Sequence, residues 1–431
     1  MTSTDLPPRD VRMKGFAQRA LVADVLDWVR DVTGCLAPER VPIHELPGRV
    51  LSEAAIAPID VPSFDRSAMD GYALIASATE GASLYNPLSF AIAGQALPGS
   101  GFPGTVNGQT AVRIMTGAPI PAGADCVLPA EHATENDGRV EITLAIPLGK
   151  HIGRAAEDVA SGQRVLPEGR LLRPQDVGLL ASLGLPEFPV IRRPRVRLVV
   201  TGNELVAPGH ERDADQIFES NSLMLAALVS RDGGLLEARA PVPPVRDDED
   251  AIREVLARPG CDLILVSGGS SVGSEDYAPT VVAELGELLF HGVAIRPSSP
   301  TGIGLIGDTL VFLLPGNPVS CLCAYDMFAG EAVRRLGGRP SVWPYRETRG
   351  VLEERITSAI GRVDYCRVAV RGETQSRISP LALSGASILS STTRADGFVL
   401  VPAELEGHAA GTEITVWLYD ASAASSNFEA P

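Results

Sequence analysis

Two kinds of apolar patterning divide this chain. Between residues 195 and 336, short continuous apolar runs alternate with segments of helical period. The runs are "RVRLVV" (Arg195 to Val200), "CDLILVS" (Cys261 to Ser267) and "TLVFLL" (Thr309 to Leu314). Such runs fit strands covered on both faces. The periodic segments between them, "SNSLMLAALVSRDGG", "EDAIREVLARPG" and "YAPTVVAELGE", predict helices, the first stopped by Gly233. The alternation predicts a parallel-sheet, three-layer α/β domain. Residues 61–144 read differently. The runs "AVRI", "CVLPA" and "VEITLAI" are short and are split by turns such as Asn107-Gly108 and Asp137-Gly138, an all-β pattern. Residues 340–420 return to short strands and turns. Residues 16–33 place Leu21, Val25, Leu26 and Trp28 on one side of a helix, and "RPQDVGLLASLG" predicts another, ended by Gly184.

Charge and cysteine usage narrow the classes. The formal charge is −16, so non-specific nucleic-acid binding is not expected. Of the 37 Lys and Arg side chains, only Lys14 and Lys150 are lysine. An anion site here is therefore built from arginine, backbone amides or helix ends. The six cysteines form no C-x-x-C pair and read as buried thiols of a reducing compartment. Cys321 and Cys323 diverge on a helix, which disfavours them as a metal or redox pair. No secretory signal and no membrane span are expected, so a cytoplasmic location follows.

In open parallel sheets, ligands sit at the carboxyl ends of strands. Three such ends are polar or glycine-rich. "VVTGNE" supplies Asn203 and Glu204. "LVSGGSSVGSEDY" supplies Gly268, Gly269, Ser270, Ser271, Gly273, Glu275 and Asp276. "LLPGNPVS" supplies Pro315, Gly316, Asn317, Pro318 and Ser320. In the last, glycine permits close backbone approach and the prolines fix φ. Ser320 is expected to cap the following helix, whose N-terminus favours an anion. A plain tight turn is the competing reading. Neither a Walker loop nor a G-x-G-x-x-G fingerprint is present. Asp276 and Glu204 could share a hard cation such as Mg²⁺. Asp247, in "RDDED", could join them or simply enrich a helix start in acids. "RRPRVR" (Arg192 to Arg197) reads as an anion patch or as a solvated lead-in to a strand. "DVPSFDRSAMDGYAL" and "RIMTGAPIPAGAD" mix polar and small residues in a way core packing does not require.

Together these motifs resemble one family. "FDRSAMDGYA", "RIMTGAPIP", "DQIFESN", "SGGSSVGSEDY" and "LPGNPVS" follow in the order seen in molybdopterin molybdenumtransferases, the bacterial MoeA and gephyrin C-terminal group, over residues 16 to 420. The resemblance implies a multidomain α/β plus β fold. Its central α/β domain is MogA-like, with flanking β-rich domains and a C-terminal β-barrel-like domain. The implied division is 1–60 with 145–190 as an elongated dimerisation domain, 61–144 as a β-rich domain, 191–338 as the molybdopterin-binding domain and 339–431 as the C-terminal β domain. It further implies a homodimer that inserts molybdenum from molybdate into adenylylated molybdopterin, releasing AMP with Mg²⁺ assisting. Implied partners are a molybdopterin adenylyltransferase and molybdoenzyme apoproteins, with neither nucleic acid nor membrane.

Residue by residue, the resemblance gives Asp70, Thr116, Glu204 and Asp276 catalytic roles. Glu204, Asp247 and Asp276 are the implied metal ligands. Arg154, Asp158, Gly268, Gly269, Ser271, Arg296, Ser299, Pro315, Gly316, Asn317, Pro318, Ser320 and Arg367 are the implied cofactor-binding set. Four positions depart from the family's pattern. "RPSSP" (Arg296 to Pro300) stands for "KPGKP", which puts neutral Ser299 where a cation is usual. Asn203 replaces Asp in "TGDE", Ala386 replaces a Ser, and "AED" replaces "GED". These departures keep a second reading open: a paralogue that binds the cofactor with little turnover, or one that handles tungstate. Adenylylation of molybdopterin is a third, less well matched to the outer domains.

Overall fold

The computed structural model describes residues 19–270, 276–372, 376–382 and 386–419. The chain forms two compact units. One comprises Met1–Glu39, Gly48–Val50 and Val190–Pro431; the other comprises Arg40–Pro47 and Leu51–Pro189.

The first unit holds the α/β sheet that the apolar runs predict. Its six strands lie in the order Leu235–Leu236, Arg195–Val200, Leu263–Ser267, Thr309–Leu314, Gly302–Ile306, Glu287–His291. The first four are parallel, and Gly302–Ile306 runs antiparallel to both its neighbours, Thr309–Leu314 and Glu287–His291. Alternate residues serve two cores. Val196, Leu198, Leu265, Phe312 and Leu314 face one layer, while Val199, Ile264, Val266, Val311 and Leu313 face the other. That double burial is why the strands read as unbroken apolar runs. The helices are Asn221–Arg231, Glu249–Leu256, Ala278–Leu285 and Pro318–Ala324, the last continuing through a π turn at Tyr325–Ala329 into Gly330–Leu336.

The helix Val22–Val32 buries Val22, Val25 and Val29 in the first of these cores. Trp28 meets Phe290 edge-on at 5.8 Å, and Arg30 Nε donates to Glu331 Oε1 at 2.7 Å. In "RRPRVR" Arg195 is exposed, while the other three guanidiniums are tied to the fold. Arg192 pairs with Asp262, Arg193 donates to the Gly233 and Gly234 carbonyls, and buried Arg197 pairs with Glu237. Each guanidinium closes a loop end onto the sheet.

Beyond the sheet, five strands close into a barrel: Val363–Arg371, Arg377–Ala382, Arg346–Leu352, Glu413–Leu418 and Gly397–Val401, with the last pairing back to the first. Ile295–Arg296 adds to Val363–Arg371 in parallel, with Arg296 opposite Asp364.

The second unit carries a six-stranded sheet in the order Cys126–Pro129, Gly71–Leu74, Thr110–Ile114, Leu88–Ala96, Arg139–Ile142, Ala133–Asn136. Its helix Pro174–Ser182 begins where Asp176 accepts from the Arg173 backbone N–H at 3.0 Å and pairs with Arg170 and Arg173. Those contacts hold the Asp176 carboxyl far below its usual range.

Candidate functional site

The strand ends of the α/β sheet open onto two cavities in the first unit, of about 800 and 690 Å³. Pro300, Pro315 and Asn317 line both, so the Pro315–Pro318 loop is the wall they share. Its glycine has a steric reason. A Cβ on Gly316 would stand 3.4 Å from the Gly268 Cα, so the two glycine loops lie against each other. Gly268 itself adopts φ +95°, and a Cβ there would meet the Thr201 carbonyl oxygen at 2.4 Å.

Ser320 does not cap the helix. Asn317 holds the N-cap position, and Ser320 lies inside Pro318–Ala324, where its carbonyl accepts from Ser298 Oγ at 2.5 Å. The Val319 N–H is also committed, to the Ala386 carbonyl at 3.0 Å. One N–H of the helix end is therefore taken up by the chain itself.

The larger cavity is cationic. Arg19, Arg296, Arg362 and Arg367 line it, with Ser298, Ser299, Ser320 and Asn317. Arg367 is only 1% exposed, carried inward by its barrel strand. Behind the cavity, Asp364 is equally buried and faces two guanidiniums. Arg296 Nη2 donates to its Oδ2, and Arg362 Nε lies 3.1 Å from its Oδ1 without hydrogen-bond alignment. Ser358 Oγ donates to the same carboxylate at 2.8 Å. Among the lining residues, Ser299 Oγ and the Nε atoms of Arg296 and Arg362 are shielded from water and form no hydrogen bond. A buried group left in that state costs about 1–3 kcal/mol. Ser298 holds φ +96°, a conformation L side chains rarely adopt, fixed by its bond to Ser320 and by Thr301 Oγ1 donating to its carbonyl at 2.7 Å.

The smaller cavity is acidic and amide-lined. Glu204, Asp247 and Asp276 line it with Gly268, Gly269, Gly316, Pro318 and Asn221. Asn221 bridges two strand ends, donating to Ser267 Oγ at 2.9 Å and to the Gly316 carbonyl at 2.7 Å. Asn221 Oδ1 and Thr201 Oγ1 are buried without a protein partner. Asp247 does not simply enrich a helix start. Asp248 is the cap of Glu249–Leu256, and Asp247 exchanges hydrogen bonds with Asn203. The three carboxylates share a cavity but not a cage: among the described residues no group of three or more His, Cys, Asp or Glu is arranged to hold a metal ion. Ser271 lies outside the described residues. Cys321 and Cys323 are buried, and desolvation pushes both thiols up to about 12.

The second unit contains the remaining expected residues. Asp70 Oδ1 accepts from Thr116 N and Thr116 Oγ1, both at 2.7 Å. These donors hold its carboxyl below the usual range, the backbone N–H contributing most. Arg154 donates to Asp65 Oδ2 at 2.6 Å, and Asp65 also accepts from the Ala155 N–H. Asp158 is exposed, with its backbone N–H bonded to the Val61 carbonyl. Ala156 takes φ +59°.

Arg19, Asn221, Arg362 and Ser387 line the cavities but were not legible as site residues. Asn221 had a signal, its place in "DQIFESN" beside a helix start.

Comparison with known proteins matches nearly the whole chain. A model of the MoeA N-terminal region (domains I and II) covers residues 18–184, one of a probable molybdopterin binding domain covers 197–335, and one of the MoeA C-terminal region (domain IV) covers 349–419. A Mycobacterium tuberculosis protein named molybdopterin molybdenumtransferase 2 is 37% identical over 403 residues, spanning 90% of this chain and 97% of its own. The Haemophilus influenzae molybdopterin molybdenumtransferase is 31% identical over 387 residues, spanning 88% and 93%. The crystal structure of a MoeA protein from Pyrococcus horikoshii superimposes with a TM-score of 0.76 at 29% identity, covering 94% of this chain and all of that one.

Proposed function

From the premise that the chain belongs to the molybdopterin molybdenumtransferase family, we propose that it inserts molybdenum from molybdate into adenylylated molybdopterin, releasing AMP. One observation carries the reading. A cationic cavity and an amide-lined acidic cavity meet at Pro300, Pro315 and Asn317. Molybdate is a tetrahedral dianion and suits the side lined by Arg19, Arg296, Arg362 and Arg367. The pterin nucleotide suits the other side, where Gly268 and Gly269 let the backbone approach a phosphate closely.

In this reading Arg296, Arg362 and Arg367 hold and orient the oxyanion, and the shared loop sets its distance from the pterin. Asn221 keeps the two strand ends in register beside the nucleotide. Magnesium takes carboxylate and phosphate oxygens and often needs only one or two protein ligands. Glu204, Asp247 and Asp276 fit that requirement as a partial set completed by the nucleotide's phosphates. When bound, the cation would polarise the bridging phosphate for cleavage. Asp70, Thr116, Arg154 and Asp158 stay in the proposal as residues contributed through a homodimer, which sedimentation analysis checks.

Ser299 favours a second reading, a paralogue that retains the cofactor with slow turnover, because it places a neutral side chain in the cationic cavity. Purified protein, adenylylated molybdopterin and graded molybdate or tungstate separate the two. Oxyanion-dependent AMP release supports transfer. Retention of the pterin nucleotide without release supports storage.

A further inference from the structure

The cationic cavity has four arginines, and all four lie on or beside one continuous ladder. Ile295–Arg296 pairs in parallel with Val363–Arg371, and the Val363 N–H donates to the Ala294 carbonyl at 2.9 Å. On the opposite edge Ala20 forms a parallel bridge to Val293. Its N–H donates to the Gly292 carbonyl at 3.0 Å, and its carbonyl accepts from the Ala294 N–H at 2.8 Å. The ladder therefore fixes Arg19, Arg296 and Arg362 around one rim, though Arg19 lies 277 residues from Arg296 and 343 from Arg362 in sequence. Immediately after it, Val22–Val32 buries Val22, Val25 and Val29, which anchors the segment from its other side.

The four charges are not equally available. Arg296 and Arg362 both face the buried Asp364 carboxylate, which offsets part of their charge toward the cavity. Ser299 adds a hydroxyl and no charge. Arg19 is exposed at the rim, and its guanidinium has no hydrogen-bonded or ionic partner among the described residues. An arginine unpaired among the described residues, on a pinned backbone, suits a tetrahedral oxyanion, whose oxygens match the guanidinium fork.

We infer that Arg19 is an oxyanion-binding residue of the cationic cavity, supplying from the N-terminal segment the charge that the Ser299 position does not. The inference rests on the molybdate reading above and adds a residue and a specificity role to it. The bridge at Ala20 positions this charge, and the rim location lets it contact the ion without entering the pterin side. Losing one charge-assisted contact at a partly exposed rim weakens binding about five- to tenfold.

Titration calorimetry with sodium molybdate, on the full-length protein and the variants Arg19→Ala, Arg19→Lys and Arg19→Ala/Ser299→Lys, tests this. The expected result is a Kd raised about five- to tenfold in Arg19→Ala, largely preserved in Arg19→Lys, and returned to or below the parent value in the double variant. Where AMP release is measured, Arg19→Ala raises the KM for molybdate while kcat and the KM for the pterin nucleotide stay within about twofold. Because Arg19 is exposed, an unchanged melting curve accompanies the loss. A Kd for Arg19→Ala within twofold of the parent overturns the inference and leaves the molybdate reading intact. Absence of molybdate and tungstate binding by the parent protein overturns both.

Discussion

Asn203 and Asp247 hold each other across two strand ends. The Asn203 N–H donates to Asp247 Oδ2 at 3.0 Å, and the Asp247 N–H donates to Asn203 Oδ1 at 3.3 Å. The second bond needs an acceptor oxygen at residue 203, which an aspartate would supply equally well. Asparagine therefore keeps the geometry and removes one negative charge beside the acidic cavity. Asn203→Asp should fold normally and bring a charge to within a few ångström of Asp247. A neighbouring unit charge near a protein surface contributes on the order of 1 kcal/mol to cation affinity. The Mg²⁺ dependence of AMP release should shift to about fivefold lower concentration.

Ser299→Lys tests the cationic cavity from its other side. A lysine beside the unpartnered Ser299 position adds a charge-assisted contact, worth about 1.5–3 kcal/mol where well aligned. Molybdate affinity should rise about ten- to a hundredfold by calorimetry, and the pterin nucleotide's affinity should not change. A rise in turnover at low molybdate would accompany it.

Asn221 is structural support for the smaller cavity. Replacing it with alanine deletes the bonds to Ser267 Oγ and the Gly316 carbonyl. Leaving the carbonyl unsatisfied costs about 1–3 kcal/mol. Asn221→Ala should lower thermal stability by that amount and weaken pterin-nucleotide binding more than molybdate binding.

Ala156 sits at φ +59°, a left-handed conformation that costs a residue with a Cβ about 1–2 kcal/mol. Its N–H is bonded to the Pro62 carbonyl at 2.9 Å, which fixes the turn. Ala156→Gly removes the strain, with part of the gain lost to the freer unfolded chain. A stabilisation of about 0.5–1 kcal/mol in thermal or denaturant unfolding is expected.

Asp70 gives a pH prediction with a definite sign. The Thr116 N–H and hydroxyl both donate to its Oδ1, and they lower its folded pKa below the unfolded value. The stability this provides is full above the unfolded pKa and disappears as pH falls through the folded one. Thr116→Val deletes the hydroxyl and keeps the N–H, so the Asp70 carboxyl titration, followed by NMR, should move part of the way back up.

The sheet was legible because its central strands are apolar on both faces, so "LILVS" and "VFLL" announce themselves without context. The two strand-end loops were legible for a related reason: Gly268, Gly316 and the flanking prolines are choices that a solvent-exposed turn does not need. The finer assignments failed where one chain segment answers another. Ser320 looks like a helix cap, but the structure gives its carbonyl to Ser298 and the N-cap to Asn317. Arg192, Arg193 and Arg197 look like a basic patch until Asp262, two glycine carbonyls and Glu237 meet them. Arg19 carries no local signal. It reaches the cavity through the Ala20–Val293 bridge, a contact between segments distant in sequence.

Single-turnover release of AMP from adenylylated molybdopterin, with and without molybdate, tests the proposed transfer most directly. The two-cavity arrangement predicts release that rises with molybdate, saturates, and needs a divalent cation. Tight retention of the pterin nucleotide with no AMP released at saturating molybdate and Mg²⁺ would contradict it.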